Sequence, residues 1–419
     1  MDKSKLGYGY NFQKVIPMIL ILLVLIIILS DGQTLADDAI ENTETSKDTE
    51  AVEEINNDFV YREGDKLMLN GEEFRFLGTN NYYFHYKDQE MVGDVIEGAA
   101  RMGIKVIRIW GFMDGQRNVH DGHIMQVEPG IYDESGFENL DYAIKKAGEE
   151  GIKLVIVLTN NWDDFGGMNQ YVRWVESAEE HDDFYTNEEI KQIYKDYIKY
   201  LINRTNTLTG IQYKDDPTIM TWELANAPRC QSDKSGDTLV EWIREMSAYI
   251  KKLDPIHLVA AGDEGFFNRN SSMYGYGGSE GVDWDRIIRI PTIDYGTYHL
   301  YPELWGWGDD ILNSGLKWIK SHLETAAEVG KTAVLEEYGI SKTAPVDRNY
   351  IYDIWNNAVY QNGGAGSMFW LLTGIDTGSG ADEDGLYPDY DGYRVIEGSE
   401  LADLLSEYAA MFNTVEDVH

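Results

Sequence analysis

Residues 218–229 read TIMTWELANAPR. A run of β-branched and large apolar side chains, Thr218 to Leu224, passes directly into Ala225, Asn226, Ala227, Pro228 and Arg229. A buried strand therefore ends where polar chemistry begins. Seven runs of the same kind flank it: FRFLGT at 74–79, VIRIW at 106–110, LVIVL at 154–158, LVAAG at 258–262, TYHLY at 297–301, AVLEEY at 333–338 and SMFWLL at 367–372. Between them the apolar spacing predicts helices over 91–102, 138–150, 188–207, 238–253, 311–329 and 348–362, with Asn187 capping the helix that starts at Glu188. Eight strand and helix units specify a parallel sheet of the α/β class, and eight units close into a (β/α)8 TIM barrel. The alternative is a doubly wound open sheet, which asks for a glycine-rich phosphate loop after the first strand. Here Gly78-Thr79-Asn80-Asn81 leads into aromatics instead.

Composition narrows the partners. The chain of 419 residues has 35 Lys and Arg against 73 Asp and Glu, a net charge of −38. Such a surface repels phosphate backbones and anionic lipid head groups, so nucleic acid is not an expected partner. The single Cys, Cys230, can make no internal disulfide and no cysteine metal site. No other metal-ligand cluster with suitable spacing is evident, and neither metal nor cofactor is expected. Aromatic residues reach 12%, which suits either a large core or a cleft lined with flat apolar platforms.

Residues 1–36 have the grammar of an export signal: Lys3, Lys5 and Lys14, then an apolar run from Val15 to Leu29, then Ser30, Asp31, Gly32 and Gln33. As a helix the run spans about 22 Å, short of the roughly 30 Å hydrocarbon core. Cleavage near Thr34-Leu35-Ala36 and secretion are the expectation. Anchoring to the outer face of the membrane through 15–29 is the alternative, and only an uncleaved leader would make the membrane a partner. Residues 37–57 carry eight carboxylates against Lys47 and no aromatic residue, the composition of a disordered acidic linker. Residues 58–419 show no further break and read as one domain, expected to be a monomer.

Chemistry in a parallel barrel sits at the carboxyl ends of the strands. Polar and aromatic residues collect there: Arg108 and Trp110 after the second strand, Asn160 to Gly167 after the third, Glu223 and Asn226 after the fourth. His299 and Tyr301 close the sixth, Glu336 and Glu337 the seventh, Trp370 the eighth. Any one of these residues has an ordinary packing explanation; six strand ends of eight together do not.

Those residues carry a resemblance. WELANAPR, TYHLYPELWGWG, LEEYG, VIRIWGF, TNNWDDFGGMNQYV and AGDEG resemble the endo-β-1,4-mannanases of glycoside hydrolase family 5 across residues 58 to 380. The resemblance implies a retaining hydrolase on a (β/α)8 barrel, acting on β-mannan, glucomannan or galactomannan. Two carboxyl groups about 5 to 5.5 Å apart are then required, one attacking the anomeric carbon and one protonating the departing oxygen. It implies Glu337 as nucleophile, held ionised by Arg108, with His299 and Tyr301 ordering the site. Asn226 would bond the sugar 2-hydroxyl and Trp370 would stack under the ring. Trp110, Trp162, Trp305 and Trp307 are further candidate sugar platforms, and Arg229 a candidate contact to the leaving-group sugar. Because strand side chains alternate, Glu336 is expected to point away from Glu337 and to be structural. The histidine usual near the end of strand three has no counterpart, since Asn160 and Asn161 stand there.

One departure outweighs these agreements. The resemblance places the acid/base glutamate immediately after the strand-four asparagine, and here that residue is Ala227. A methyl group neither protonates the glycosidic oxygen nor activates water, assistance worth about 10²- to 10⁴-fold. Glu223 is not a shifted replacement, because the family has a glutamate there as well. Either an otherwise whole site has had Glu replaced by Ala, or the chain descends from a lineage that kept binding and lost turnover. Three functions follow: a mannanase impaired at Ala227, a β-1,4-glucanase of the same family, or a β-mannan-binding protein without turnover.

Overall fold

The computed structural model describes residues 58–115 and 124–414. The leader expected at 1–36 lies outside the described residues, as does the linker expected at 37–57. Each of the eight apolar runs forms a strand: β1 Phe76–Asn81, β2 Val106–Trp110, β3 Lys153–Val157, β4 Ile219–Glu223, β5 Leu258–Ala260, β6 Gly296–Leu300, β7 Ala333–Tyr338 and β8 Gly366–Phe369. All ladders are parallel, in the order β5-β4-β3-β2-β1-β8-β7-β6. The two ends of that order, β5 and β6, meet without a regular ladder. Val259 donates to Asp294 Oδ2 at 2.7 Å, Asp294 donates back to the Val259 carbonyl at 2.9 Å, and the His299 amide reaches the Glu264 carbonyl at 3.2 Å. The expected (β/α)8 barrel is thereby closed.

The expected helices surround it as α1 Gln89–Arg101, α2 Glu138–Glu149, α3 Glu188–Ile202, α4 Asp237–Leu253, α5 Ile311–Glu328 and α6 Arg348–Gln361. Asn187 caps α3 as its sequence position predicts, its side chain accepting from the Glu189 and Ile190 amides. That helix stops at Ile202 rather than at 207. Arg204 turns inward to Asp141 at 2.9 Å, and the Asn206 side chain accepts from the Leu208 and Thr209 amides, so local side-chain bonds replace the helical ladder. A further helix, α7 Glu400–Asn413, follows a Ser399 cap and packs on β1 through a face that includes Leu401, Leu405 and Phe412.

The core divides in two. Phe76, Val106, Val155, Met220, Val334 and Met368 fill the amino-terminal part of the barrel, where Leu67 of a small antiparallel sheet and Val60 just before its first strand cover them. A larger cluster fills the space between strands and helices. Apolar filling at the amino ends leaves the carboxyl ends free to carry polar groups.

Candidate active site

Arg108 organises the carboxyl end of the barrel. Its side chain is fully buried on β2 and reaches three carboxylates: Glu223 on β4 at 2.6 Å, Glu337 on β7 at 2.5 Å and Glu336 on β7 at 3.7 Å. It donates as well to Asn226 Oδ1 at 2.8 Å and Asn80 Oδ1 at 3.2 Å. Burial works against the guanidinium charge, but the surrounding carboxylates outweigh it and raise the Arg108 pKa above its usual value. A planar fork with five donors suits this position; an ammonium would not span it.

Glu337 receives two further contacts. The Tyr301 hydroxyl donates to its Oε2 at 2.9 Å, and His299 Nδ1 lies 3.6 Å from the same oxygen. Burial and the adjacent carboxylate push the Tyr301 phenol up, so it remains a donor, while burial pushes the His299 imidazole down. Asn226 is fixed from both sides, accepting from Arg108 and donating to Asn160 Oδ1 at 3.0 Å. Asn160 thus occupies the end of β3 as a positioning partner. Asn161 turns away, its Oδ1 accepting from the Arg229 amide at 3.1 Å and its backbone carbonyl lying 3.0 Å from His181 Nε2.

Glu336 departs from the expected alternation. The register between β6 and β7 runs Tyr298 to Leu335 and then His299 to Glu337, skipping Glu336. This bulge turns both glutamates toward Arg108. Glu336 Oε2 lies 3.4 Å from His299 Nε2, and burial, outweighing the Arg108 charge, pushes its pKa up to about 7. Its unfolded value is near 4.5, so the folded state holds a proton there that the unfolded chain releases. That stabilisation is complete at acid pH and is lost as pH rises through 7. Glu336→Gln should therefore gain stability relative to the parent between pH 5 and pH 8, on the order of 2 kcal/mol, read by denaturant unfolding at each pH. A difference that does not change with pH would contradict the buried proton.

At the top of β4 the backbone turns sharply. Ala227 has φ of 50°, its amide bonded to the Gly262 carbonyl at 2.8 Å. Gly262 has φ of +76°, and a β-carbon there would sit 2.1 Å from the Ala225 carbonyl and 2.3 Å from Glu223 Oε1. Only glycine lets the end of β5 approach the buried glutamate so closely.

Above this floor lies a cleft of about 760 Å³ whose lining includes Glu337, Asn226, Tyr301, Trp110, Trp162 and Trp370. Trp370 stacks on Tyr82 at 5.8 Å and 15°, and its Nε1 donates to Asp391 Oδ2 at 2.7 Å. Trp110 lies under the Arg108 guanidinium, and Trp162 is 45% exposed at the rim. Flat apolar faces around buried polar groups suit the alternating faces of a pyranose chain.

Three expected contacts are not brought into this cleft. Trp305 is buried, packed edge-on against Phe266, Trp307 and Trp318 at 5.1 to 5.5 Å, so its faces are covered by neighbouring rings; Trp307 is buried in the same cluster. Arg229 is held by Glu264 at 2.6 Å and Glu280 at 3.0 Å, with its guanidinium 5.1 Å from the Trp162 ring, and it backs that platform rather than facing the cleft. Conversely, Tyr82, Tyr86, Tyr387, Tyr390 and Tyr393 line the cleft without having been singled out. Their signal was the aromatic run after Asn81 and the YPDYDGY stretch at 387–393.

Comparison with known proteins follows the same line. The family described as GH family 5 beta-mannosidase-like matches residues 57–376. A mannan endo-1,4-beta-mannosidase of Arabidopsis thaliana is 37% identical over 340 residues, covering 74% of this chain and 81% of the relative. One from Oryza sativa is 38% identical over 377 residues, covering 82% and 78%. The crystal structure of the endo-beta-1,4-mannanase from Thermotoga petrophila superposes with a TM-score of 0.80 at 55% identity, covering 84% of this chain and 79% of that one. That of the endo-1,4-beta-mannanase from Rhizomucor miehei gives 0.76 at 37%, covering 85% and 99%.

Proposed function

Because the chain belongs to glycoside hydrolase family 5, in its beta-mannosidase-like group, we propose that it binds β-1,4-mannan, glucomannan or galactomannan along the aromatic cleft and is an endo-acting retaining mannanase whose turnover is limited by Ala227. The observation that carries this reading is Glu337 at the cleft floor, held by Arg108 at 2.5 Å and Tyr301 at 2.9 Å. A carboxylate fixed by two donors and open to the cleft is placed to attack an anomeric carbon. Asn226, immobilised by Arg108 and Asn160, is placed to bond the 2-hydroxyl as positive charge develops on the ring. Trp370, braced by Tyr82 and Asp391, offers a flat face for the sugar at the point of cleavage.

Ala227 leaves the departing oxygen without a proton and the glycosyl-enzyme without a base, so natural linkages turn over slowly in this chain. A second reading rests on the same alanine: a mannan-binding protein that has given up hydrolysis. We propose as well that residues 1–36 direct export, which amino-terminal sequencing of the secreted protein tests.

The deciding experiment measures locust-bean galactomannan hydrolysis by the chain and by Ala227→Glu, beside mannohexaose binding by calorimetry. Recovery of turnover supports the impaired enzyme; saturable binding with no recovery supports the binding protein. Carboxymethyl-cellulose cut in preference to mannan by Ala227→Glu would move the substrate to β-glucan. Trp370→Ala is expected to weaken mannohexaose binding roughly tenfold, by loss of the stacked face. Unchanged affinity would place the sugar elsewhere.

A further inference from the structure

Glu336 has no part in the mechanism above, yet it is buried among the groups that hold the nucleophile. The groups facing it come from five strands or strand ends: Arg108 on β2, Glu223 on β4, Asp263 after β5, His299 on β6 with Tyr295 just before it, and Glu337 on its own strand. His299 stands between the two glutamates, Nε2 at 3.4 Å from Glu336 Oε2 and Nδ1 at 3.6 Å from Glu337 Oε2. A neutral imidazole carries one N–H and can offer it to only one of them.

We propose that Glu336 is a positioning residue that sets the tautomer of His299: in its acid form it donates to Nε2, so that the ring N–H sits on Nδ1 and points at Glu337. This rests on Glu337 being the nucleophile. Loss of the Glu336 proton to solvent leaves a carboxylate that draws the ring N–H to Nε2, and the lone pair of Nδ1 then faces the nucleophile. Arg108 Nε, 3.7 Å from Glu336, is drawn the same way and away from Glu337. Three observations support the acid form. The bulge in β7 brings Glu336 into a group already holding two carboxylates on one guanidinium. Glu336 Oε1 is buried with no amide, hydroxyl or cationic donor among the described residues, and Glu336 shares a hydrogen bond with the Glu223 carboxyl, a pairing that requires a proton on one of the two. Burial raises the acid and lowers the imidazole, which favours a neutral pair over an ion pair.

The test uses the chain as it stands, because a 2,4-dinitrophenyl β-mannobioside needs no proton on its leaving group and so reports Glu337 without an acid/base residue. Nitrogen-15 spectra of the histidine-labelled chain, with His299 assigned through His299→Gln, should show the Nδ1–H tautomer at pH 6 and the Nε2–H tautomer at pH 8.5. Glu336→Gln, whose amide donates at every pH, should hold the Nδ1–H form throughout. The first burst of dinitrophenolate should fall several-fold between those pH values in the parent and stay level in Glu336→Gln. An Nε2–H tautomer at pH 6, or a parent burst and tautomer that do not change with pH, overturns the proposal. Absence of any burst at any pH overturns the assignment of Glu337 instead, and the nitrogen spectra still decide the role of Glu336. Circular dichroism of Glu336→Gln checks that the variant is folded.

Discussion

Ala227→Glu is expected to raise galactomannan hydrolysis by about 10³-fold or more, measured as reducing ends per unit time at equal protein concentration. The size follows from the chemistry: one general acid/base group contributes about 10² to 10⁴, and here the same group would serve both the departure of a poorly stabilised alkoxide and the attack of water. Two structural facts argue that the new side chain would find a site ready for it. Ala227 already holds a non-glycine residue at φ of 50°, so the backbone strain, typically about 1 kcal/mol or more, is present before the substitution and is not added by it. Its amide is tied to Gly262 and its neighbour Asn226 to Arg108, so the position is fixed relative to the nucleophile's own partner. A hydrolysis rate within threefold of the parent, in a folded variant that still binds mannohexaose, would defeat the view that Ala227 is what limits turnover.

The barrel was legible because its information is periodic. Eight apolar runs and the intervening helical spacing survive as strands and helices with ends shifted by a few residues, and those shifts have local causes, as where Arg204 and Asn206 end α3 early. The residues on strand ends were legible for the same reason: position along a buried strand dictates that Arg108, Asn226, His299, Tyr301 and Glu337 converge. What failed was everything that depends on departures from period. The alternation rule placed Glu336 away from Glu337, and a one-residue bulge in β7 reversed that. Trp305 and Arg229 lie in loops, where composition says that a ring or a guanidinium is present but not which neighbours will claim it; Phe266 and Trp318 claim the ring, Glu264 and Glu280 the guanidinium. The tyrosines at 387–393 reach the cleft from beyond the last barrel strand, a return path that no local pattern encodes.

Arg108→Leu is expected to cost about 3 to 5 kcal/mol of folding stability at pH 8, enough to lower the melting temperature by roughly 6 to 12 °C. The replacement fills much of the volume but removes the guanidinium that Glu223 and Glu337 both use. Each would then be a carboxylate out of water, with Glu336 beside them and no cation among the contacts the structure gives. Breaking such an arrangement by one member costs far more than the intact arrangement contributes, because the desolvation of the remaining charges is left unoffset. The loss has a pH signature that separates charge from packing. Without Arg108 the folded-state pKa values of Glu223 and Glu336, which burial already raises, rise further above their unfolded values, so the folded form takes up protons, and the stability they confer is present at acid pH and lost as pH rises. The deficit of Arg108→Leu should accordingly be smaller at pH 5 than at pH 8, whereas a deficit due to lost packing alone would be the same at both. Equal deficits, measured by denaturant unfolding at the two pH values, would mean that the arginine acts in this core as volume and hydrogen-bond donor, and that the three glutamates find their compensation elsewhere.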